Sequence, residues 1–371
     1  MDASTQLRHD IIRRAKTIVV KVGTAVLTLP GGRLHRRRIS HLAAQLQALR
    51  TAGKSVVLVS SGAVGAGVGE LNLSERPEDL PGLQGAAAIG QPLLMRAWHD
   101  SFARLGTHVA QILVTRADFE SRAGYLNIGN TIRALHSWNA IPVFNENDTV
   151  AVEELRFGDN DGLAALTTHM VGADLLILLS SVDGLLGPDG PLDVVDRVDS
   201  GVKGLVSTSM TALGRGGMGS KLEAVGRVTA AGEAVIIANG KKTDVLRRIL
   251  SGEKEGTLFL PAGQRQSARL RWIGQAARPA GRIHVDAGAV EAVRKGKSLL
   301  PSGVVRIEGR FNKGDVVGLV GPEGSEFARG LASYPAVEAE KIRGLKTGQI
   351  LGVLGSKPYD ELIHRDYLVL V

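Results

Sequence analysis

Cysteine is absent from this 371-residue chain, so disulfides, thiolate metal centres and cysteine nucleophiles are all excluded. Aromatic residues are scarce, at 4% of the chain, which leaves few rings for stacking on nucleic-acid bases. Long apolar runs are missing too. Even Ala173 to Leu179, apolar apart from Asp174, has only the length of a strand and cannot cross a bilayer. Residues 1–16 are polar and basic without an apolar core, the pattern of neither a signal peptide nor a membrane anchor, so a cytoplasmic protein with no membrane partner is expected. The nine histidines form no HxxxH or HxH pair, and no metal site is expected. Three catalytic or ligand-binding signatures are lacking as well: the Walker A order, the Gly-x-Ser-x-Gly nucleophile turn, and the acidic series of a calcium loop around Asp161.

What remains is an ordinary globular composition, 44% hydrophobic and 22% charged with 47 glycines, and a length that suits two domains. The net charge of +8 is uneven. After residue 261 fall 17 of the 45 basic and 11 of the 37 acidic side chains, so the last third carries +6. That excess fits either a basic binding module or a solvated face that binds nothing.

From Thr17 to Leu260 short apolar runs alternate with amphipathic segments. Strands are expected at Thr17–Val22, Ser55–Val59, Val109–Val114, Ile141–Phe144, Ala173–Leu179 and Ala234–Ala238. Helices are expected at Arg38–Arg50, Leu83–Leu105 (cut or kinked by Pro92), Gly124–Asn139, Gly162–Val171 and Gly219–Ala231. Such alternation means a mostly parallel sheet sandwiched between helices, an α/β fold that binds ligands at the carboxyl ends of its strands. Residues 1–261 form this domain, residues 262–279 a polar, basic linker, and residues 280–371 a small all-β barrel. Short runs at 282–285, 304–308, 315–320, 327–332, 349–354 and 366–371 supply its strands.

The chemistry-bearing residues fall after expected strands or at helix starts. Lys21 lies at the end of a buried strand beside Gly23, where a charge is costly unless an anion is near. Gly214-Arg215-Gly216-Gly217-Met218-Gly219-Ser220-Lys221 sets a second lysine among glycines, whose backbone can approach an anion closely. Ser60-Ser61-Gly62-Ala63-Val64-Gly65 turns from a strand into a helix whose N–H groups face outward along its axis. Asn145-Glu146-Asn147-Asp148 and Gly158-Asp159-Asn160-Asp161-Gly162 bring amides and carboxylates to the same edge. They suit the ammonium group of an amino acid, the orientation of lysines or a metal, and equally suit turns and helix caps. Two lysines on one polyphosphate would serve phosphoryl transfer to another anion.

These blocks resemble the amino acid kinase superfamily, and within it the branch that phosphorylates glutamate and carries a C-terminal PUA domain. The resemblance runs from about Thr17 to Val371, with Ser298-Leu299-Leu300-Pro301-Ser302-Gly303 as the clearest PUA-like stretch. It implies ATP-dependent phosphorylation of the γ-carboxylate of L-glutamate to L-glutamyl 5-phosphate, the first step towards proline. It implies that Lys21, Lys221 and Asp161 are catalytic, the lysines on the transferring phosphoryl group and Asp161 orienting them. Ser61, Gly62, Asp148 and Asn160 would bind glutamate. ATP, carrying Mg²⁺, would be held by Lys21, Ser180, Ser181, Arg215, Gly216, Gly217, Met218, Gly219, Ser220 and Lys221. The chain departs from the usual pattern along the nucleotide at Ser181, Leu186 and Arg215. Inhibition by proline and assembly as a homodimer or homotetramer are also implied, and the PUA-like domain is read as a structural or regulatory appendage, with RNA binding as the alternative. Two alternatives stay open: a kinase of the same fold for another small anion, and an RNA-binding protein with a vestigial kinase fold.

Overall fold

The computed structural model describes residues 2–151, 160–206, 217–263 and 265–371, which divide into two compact units between Arg265 and Gln266. Among the described residues no helix is long and apolar enough to cross a membrane.

The first unit begins with α1 (Ala3–Arg14), β1 (Thr17–Val22), α2 (Thr24–Leu27), α3 (Arg36–Thr51), β2 (Ser55–Ser60), α4 (Ala63–Glu70) and α5 (Leu80–Ala103). Then come β3 (Val109–Val114), α6 (Arg116–Glu120), α7 (Arg122–Ser137), β4 (Ile141–Glu146), α8 (Asn160–Val171) and β5 (Leu175–Ser180). Three two-residue strands follow, β6 (Leu186–Gly187), β7 (Gly190–Pro191) and β8 (Val194–Val195). The rest is α9 (Ser200–Gly204), α10 (Met218–Ala230), β9 (Ala234–Asn239), α11 (Val245–Leu250) and β10 (Thr257–Phe259).

Eight strands pair in the order β3-β4-β2-β1-β5-β9-β10-β8, parallel throughout except between β9 and β10. The β-branched run Thr17-Ile18-Val19-Val20 therefore sits at the centre, as the rigid, branched side chains favour. Alternate residues go to opposite faces. Ile18, Val20 and Val22 join Leu58, Ile177 and Ile236 in a core with Leu42 and Leu46 of α3 and Trp98 of α5. Val19 and Lys21 point the other way, towards α8.

Pro92 lies inside α5, which nevertheless runs unbroken for 24 residues. Buried side chains on both sides of the proline, Leu83 and Ala87 before it and Leu94 and Trp98 after it, hold the helix against the core. The amino-terminal stretch is also helical. α1 buries Arg8, whose guanidinium pairs with Asp193 at 2.7 Å and donates to the backbone oxygens of Glu255 and Gly256.

The second unit contains α12 (Ala268–Arg271), β11 (Gly281–Val285), α13 (Ala287–Arg294), β12 (Val304–Gly309), β13 (Val316–Val320), β14 (Glu326–Leu331), α14 (Ala336–Ile342), α15 (Ile350–Leu354) and β15 (Leu368–Leu370). Its five-stranded sheet has the order β12-β11-β13-β14-β15, and its core gathers Ile283, Val285, Val317, Leu319, Phe327, Tyr334 and Ile363. Two expectations change here. Residues 349–354 are not a strand. Ile350–Leu354 is a helical turn that buries Ile350 and ends at Gly355, whose left-handed φ of 71° stops it. The segment expected as a linker includes α12 and a wide helical turn at Trp272–Ala276. There Ile273 and Ala277 pack on Val316 and Val369 of the second unit.

Candidate active site

β1 delivers Lys21 to the carboxyl half of the sheet, and α8 starts opposite it with Asn160 and Asp161 in its first turn. A carboxylate is favoured at that position by the helix dipole. Lys21 Nζ lies 2.6 Å from Asp161 Oδ1. Lys221, in the first turn of α10, places its Nζ 2.9 Å from Asp161 Oδ2. All three groups are withdrawn from solvent, with Lys21 2%, Lys221 6% and Asp161 0% exposed. Burying an ammonium costs several kcal/mol unless charge and hydrogen bonds answer it. Two of them gather on one carboxylate at the carboxyl edge of the sheet.

Gly217 leads into α10 in an extended conformation and provides no side-chain cap, so the first N–H groups of the helix are presented towards an anion. Ser220 donates to the Gly217 oxygen at 3.0 Å and lies 3.4 Å from Asp161 Oδ2. Met218 and Gly219 complete that turn. Arg215 and Gly216 lie outside the described residues.

The residues expected to bind glutamate stand at the same edge of the sheet. The Ser61 N–H donates to Val22 O at 3.0 Å. Gly62 follows with φ of +110° and opens α4 without a side-chain cap. That φ is accessible to glycine at little strain. α4 then approaches α5 so closely that a Cβ at Gly67 would stand 1.8 Å from Ala86 O, and one at Gly90 1.9 Å from Ala63 O. Asn160 Nδ2 donates to Ser60 O at 3.2 Å and to Asn145 Oδ1 at 2.7 Å. Asp148 is half-buried in the turn after β4, which pairs with β2 and so ends at the same edge.

Two contributors, Gln91 and Trp98, lay outside the expected site. Asn145 passes its own Nδ2 to Gln91 Oε1 at 2.8 Å, and Trp98 Nε1 holds Ser60 Oγ at 2.9 Å. A buried relay thus runs from α5 through β4 to the start of α8. No local sequence signal marks Gln91, since its partner Asn145 lies 54 residues away.

Ser180, half-buried at the end of β5, accepts from Gly240 N at 2.8 Å, and Ser181 is exposed just beyond it. Nearby, Lys242 bridges Asp183 and Glu255, at 2.8 Å each. Hydrogen bonds from Lys242 and then Asn239 hold the Asp183 carboxyl below its usual range, while Asp183 and Glu255 raise the Lys242 ammonium. This exposed lysine is fixed as a cation beside the end of β5. Among the described residues no group of three or more His, Asp or Glu is placed to hold a metal.

The chain matches the Amino acid kinase family over residues 16–239 and the PUA domain over residues 281–354. It is 47% identical to the glutamate 5-kinase of Caldanaerobacter subterraneus over 95% of this chain and 97% of that one. It is 45% identical to the glutamate 5-kinase of Citrifermentans bemidjiense over 98% of this chain and 100% of the other. The glutamate 5-kinase of Moorella thermoacetica is 44% identical, with 97% of each chain covered.

Proposed function

This chain belongs to the amino acid kinase family and, within it, to the glutamate 5-kinases, and from that premise we propose how its residues divide the work. The reaction is ATP-dependent phosphorylation of the γ-carboxylate of L-glutamate to L-glutamyl 5-phosphate, the first step towards proline. That carboxylate is ionised at neutral pH, so no general base is needed. The obstacle is an anion attacking a polyanion, and the remedy is fixed positive charge where negative charge shifts.

In this reading Lys21 and Lys221 stabilise the transferring phosphoryl group, and Asp161 fixes where their ammonium groups stand. Ser61, Gly62, Asp148 and Asn160 bind glutamate: the uncapped start of α4 suits a carboxylate, and Asp148 suits the ammonium. Ser180, Ser181 and the segment 215–221 hold ATP. Mg²⁺ travels with the nucleotide and neutralises charge on its phosphate oxygens. The observation that supports this most is the convergence of two buried lysines on Asp161.

The test is ADP release with glutamate, aspartate or carbamate as acceptor, with the acyl phosphate trapped by hydroxylamine. Glutamate is expected to give the hydroxamate and the others little, and equal turnover on aspartate would overturn the acceptor assignment. Inhibition by proline, a homodimeric or homotetrameric state, a cytoplasmic setting and RNA as partner of the PUA domain are carried from the resemblance as further proposals. Turnover against proline concentration, light scattering, cell fractionation and filter binding decide them in turn.

A further inference from the structure

The second unit carries an open cavity of about 390 Å³ that phosphoryl transfer does not use. We propose that it binds the phosphate dianion of a small phosphorylated ligand through Arg278 and Arg282. The strand register builds the site. Arg282 pairs with Glu308 on β12 and with Gly318 on β13, and Gly318 pairs with Arg329 on β14. Glu308, Arg282, Gly318 and Arg329 therefore form one row across four strands, with side chains on one face.

Gly318 is the low point of that row. A Cβ there would lie 2.8 Å from Glu326 Oε2, so the missing side chain lets the Glu326 carboxylate lie across the row. Glu326 then meets Arg329 Nε at 2.6 Å. Arg329 also donates to the backbone oxygens of Gly274 and Ala277, both at 3.2 Å, which ties down the segment that delivers Arg278. At the other end Glu308 pairs with Arg306 and lies 3.2 Å from His284 Nε2.

Both carboxylates that line the cavity thus have cations of their own. Arg278 and Arg282 are exposed at its mouth. Neither guanidinium donates a hydrogen bond to a described residue, and Arg282 shares the Glu308 carboxylate, opposite it on β12, with Arg306 and His284. Two guanidinium forks beside one cavity match a phosphate dianion in charge and in bidentate geometry. An open cavity of this size admits a terminal phosphate group between the two side chains. An RNA strand needs an extended basic track with stacking rings, and no aromatic side chain lines this site.

The experiment is hydrogen–deuterium exchange on the full-length protein, titrated with inorganic phosphate at constant ionic strength. Saturable protection of residues 278–282 and 308–309 is expected. The double variant Arg278→Gln/Arg282→Gln should weaken it about tenfold or more, and Arg282→Gln alone serves if the double variant misfolds. Protection that is absent, that survives the substitutions, or that appears with acetate or an RNA oligonucleotide but not with phosphate would overturn the proposal. The localised readout keeps phosphate bound at the kinase site from being mistaken for this one.

Discussion

Lys21 and Lys221 reach the two oxygens of a single carboxylate, at 2.6 and 2.9 Å from Asp161, although one stands on a central strand and the other on a helix near the end of the first unit. The arrangement gathers two cations on one carboxylate. A phosphoryl group in transit has charge to share between donor and acceptor oxygens, and preset cations meet it without reorganisation.

Removing Lys221 should therefore act on turnover. Lys221→Ala is expected to lower kcat roughly 100- to 1000-fold at saturating ATP, with the KM for glutamate changed far less. Steady-state kinetics on variant protein with an unaltered circular dichroism spectrum make the check. A wild-type kcat would remove Lys221 from the chemistry.

Asp161→Asn should affect stability as well as rate. It withdraws the carboxylate that two buried ammonium groups hold, and breaking a buried pair in this way costs about 3–5 kcal/mol. ATP brings negative charge to the same place. Its addition should raise the thermal midpoint of the variant more than that of the wild type, as measured by calorimetry. Equal shifts would mean that Asp161 and the nucleotide do not share the lysines.

Much of this site could be read along the chain. Lys21 stands out because a charged residue interrupts the buried run Thr17–Val22, and the glycines around Lys221 mark a close backbone approach. Gln91 could not be read that way. Its partner Asn145 is 54 residues distant, and nothing local tells a buried glutamine from a surface one. α1 was hidden for the same reason: Arg8 is neutralised by Asp193, 185 residues on. Residues 350–354 misled through composition, since Ile-Leu-Gly-Val-Leu has the residues of a strand. Packing of Ile350 and the left-handed Gly355 decide for a helix. Local pattern carried the strands and the anion-binding turns, whereas long-range polar pairs appear only once the sheet order is known.

The contact between α4 and α5 offers a test of positioning at a distance from the chemistry. A Cβ at Gly90 would stand 1.9 Å from Ala63 O and 2.4 Å from Gly67 N, both backbone atoms. Gly90→Ala should push the two helices apart and lower stability by about 1–3 kcal/mol, the usual effect of overpacking. Because Ser61 and Gly62 lead into α4, the KM for glutamate should rise more than that for ATP. Equal changes would show that α4 does not set the glutamate pocket.

Asp174 makes the stability of the first unit depend on acidity. Burial pushes its carboxyl up, but the N–H groups of Thr17 and Lys16, at 2.9 and 2.7 Å, and the Arg265 guanidinium, at 2.6 Å, outweigh this and hold it below its usual value. A depressed pKa in the folded state means that the stabilisation is complete above the unfolded value of about 3.9 and fades as the pH falls through the folded one. Asp174→Asn should thus lower the unfolding free energy at neutral pH by about 1–3 kcal/mol. In urea titrations the gap between wild type and variant should close as the pH falls below the unfolded value and on through the depressed folded one. A gap that stays constant with pH would assign the loss to the geometry of the strand start and not to the charge of Asp174.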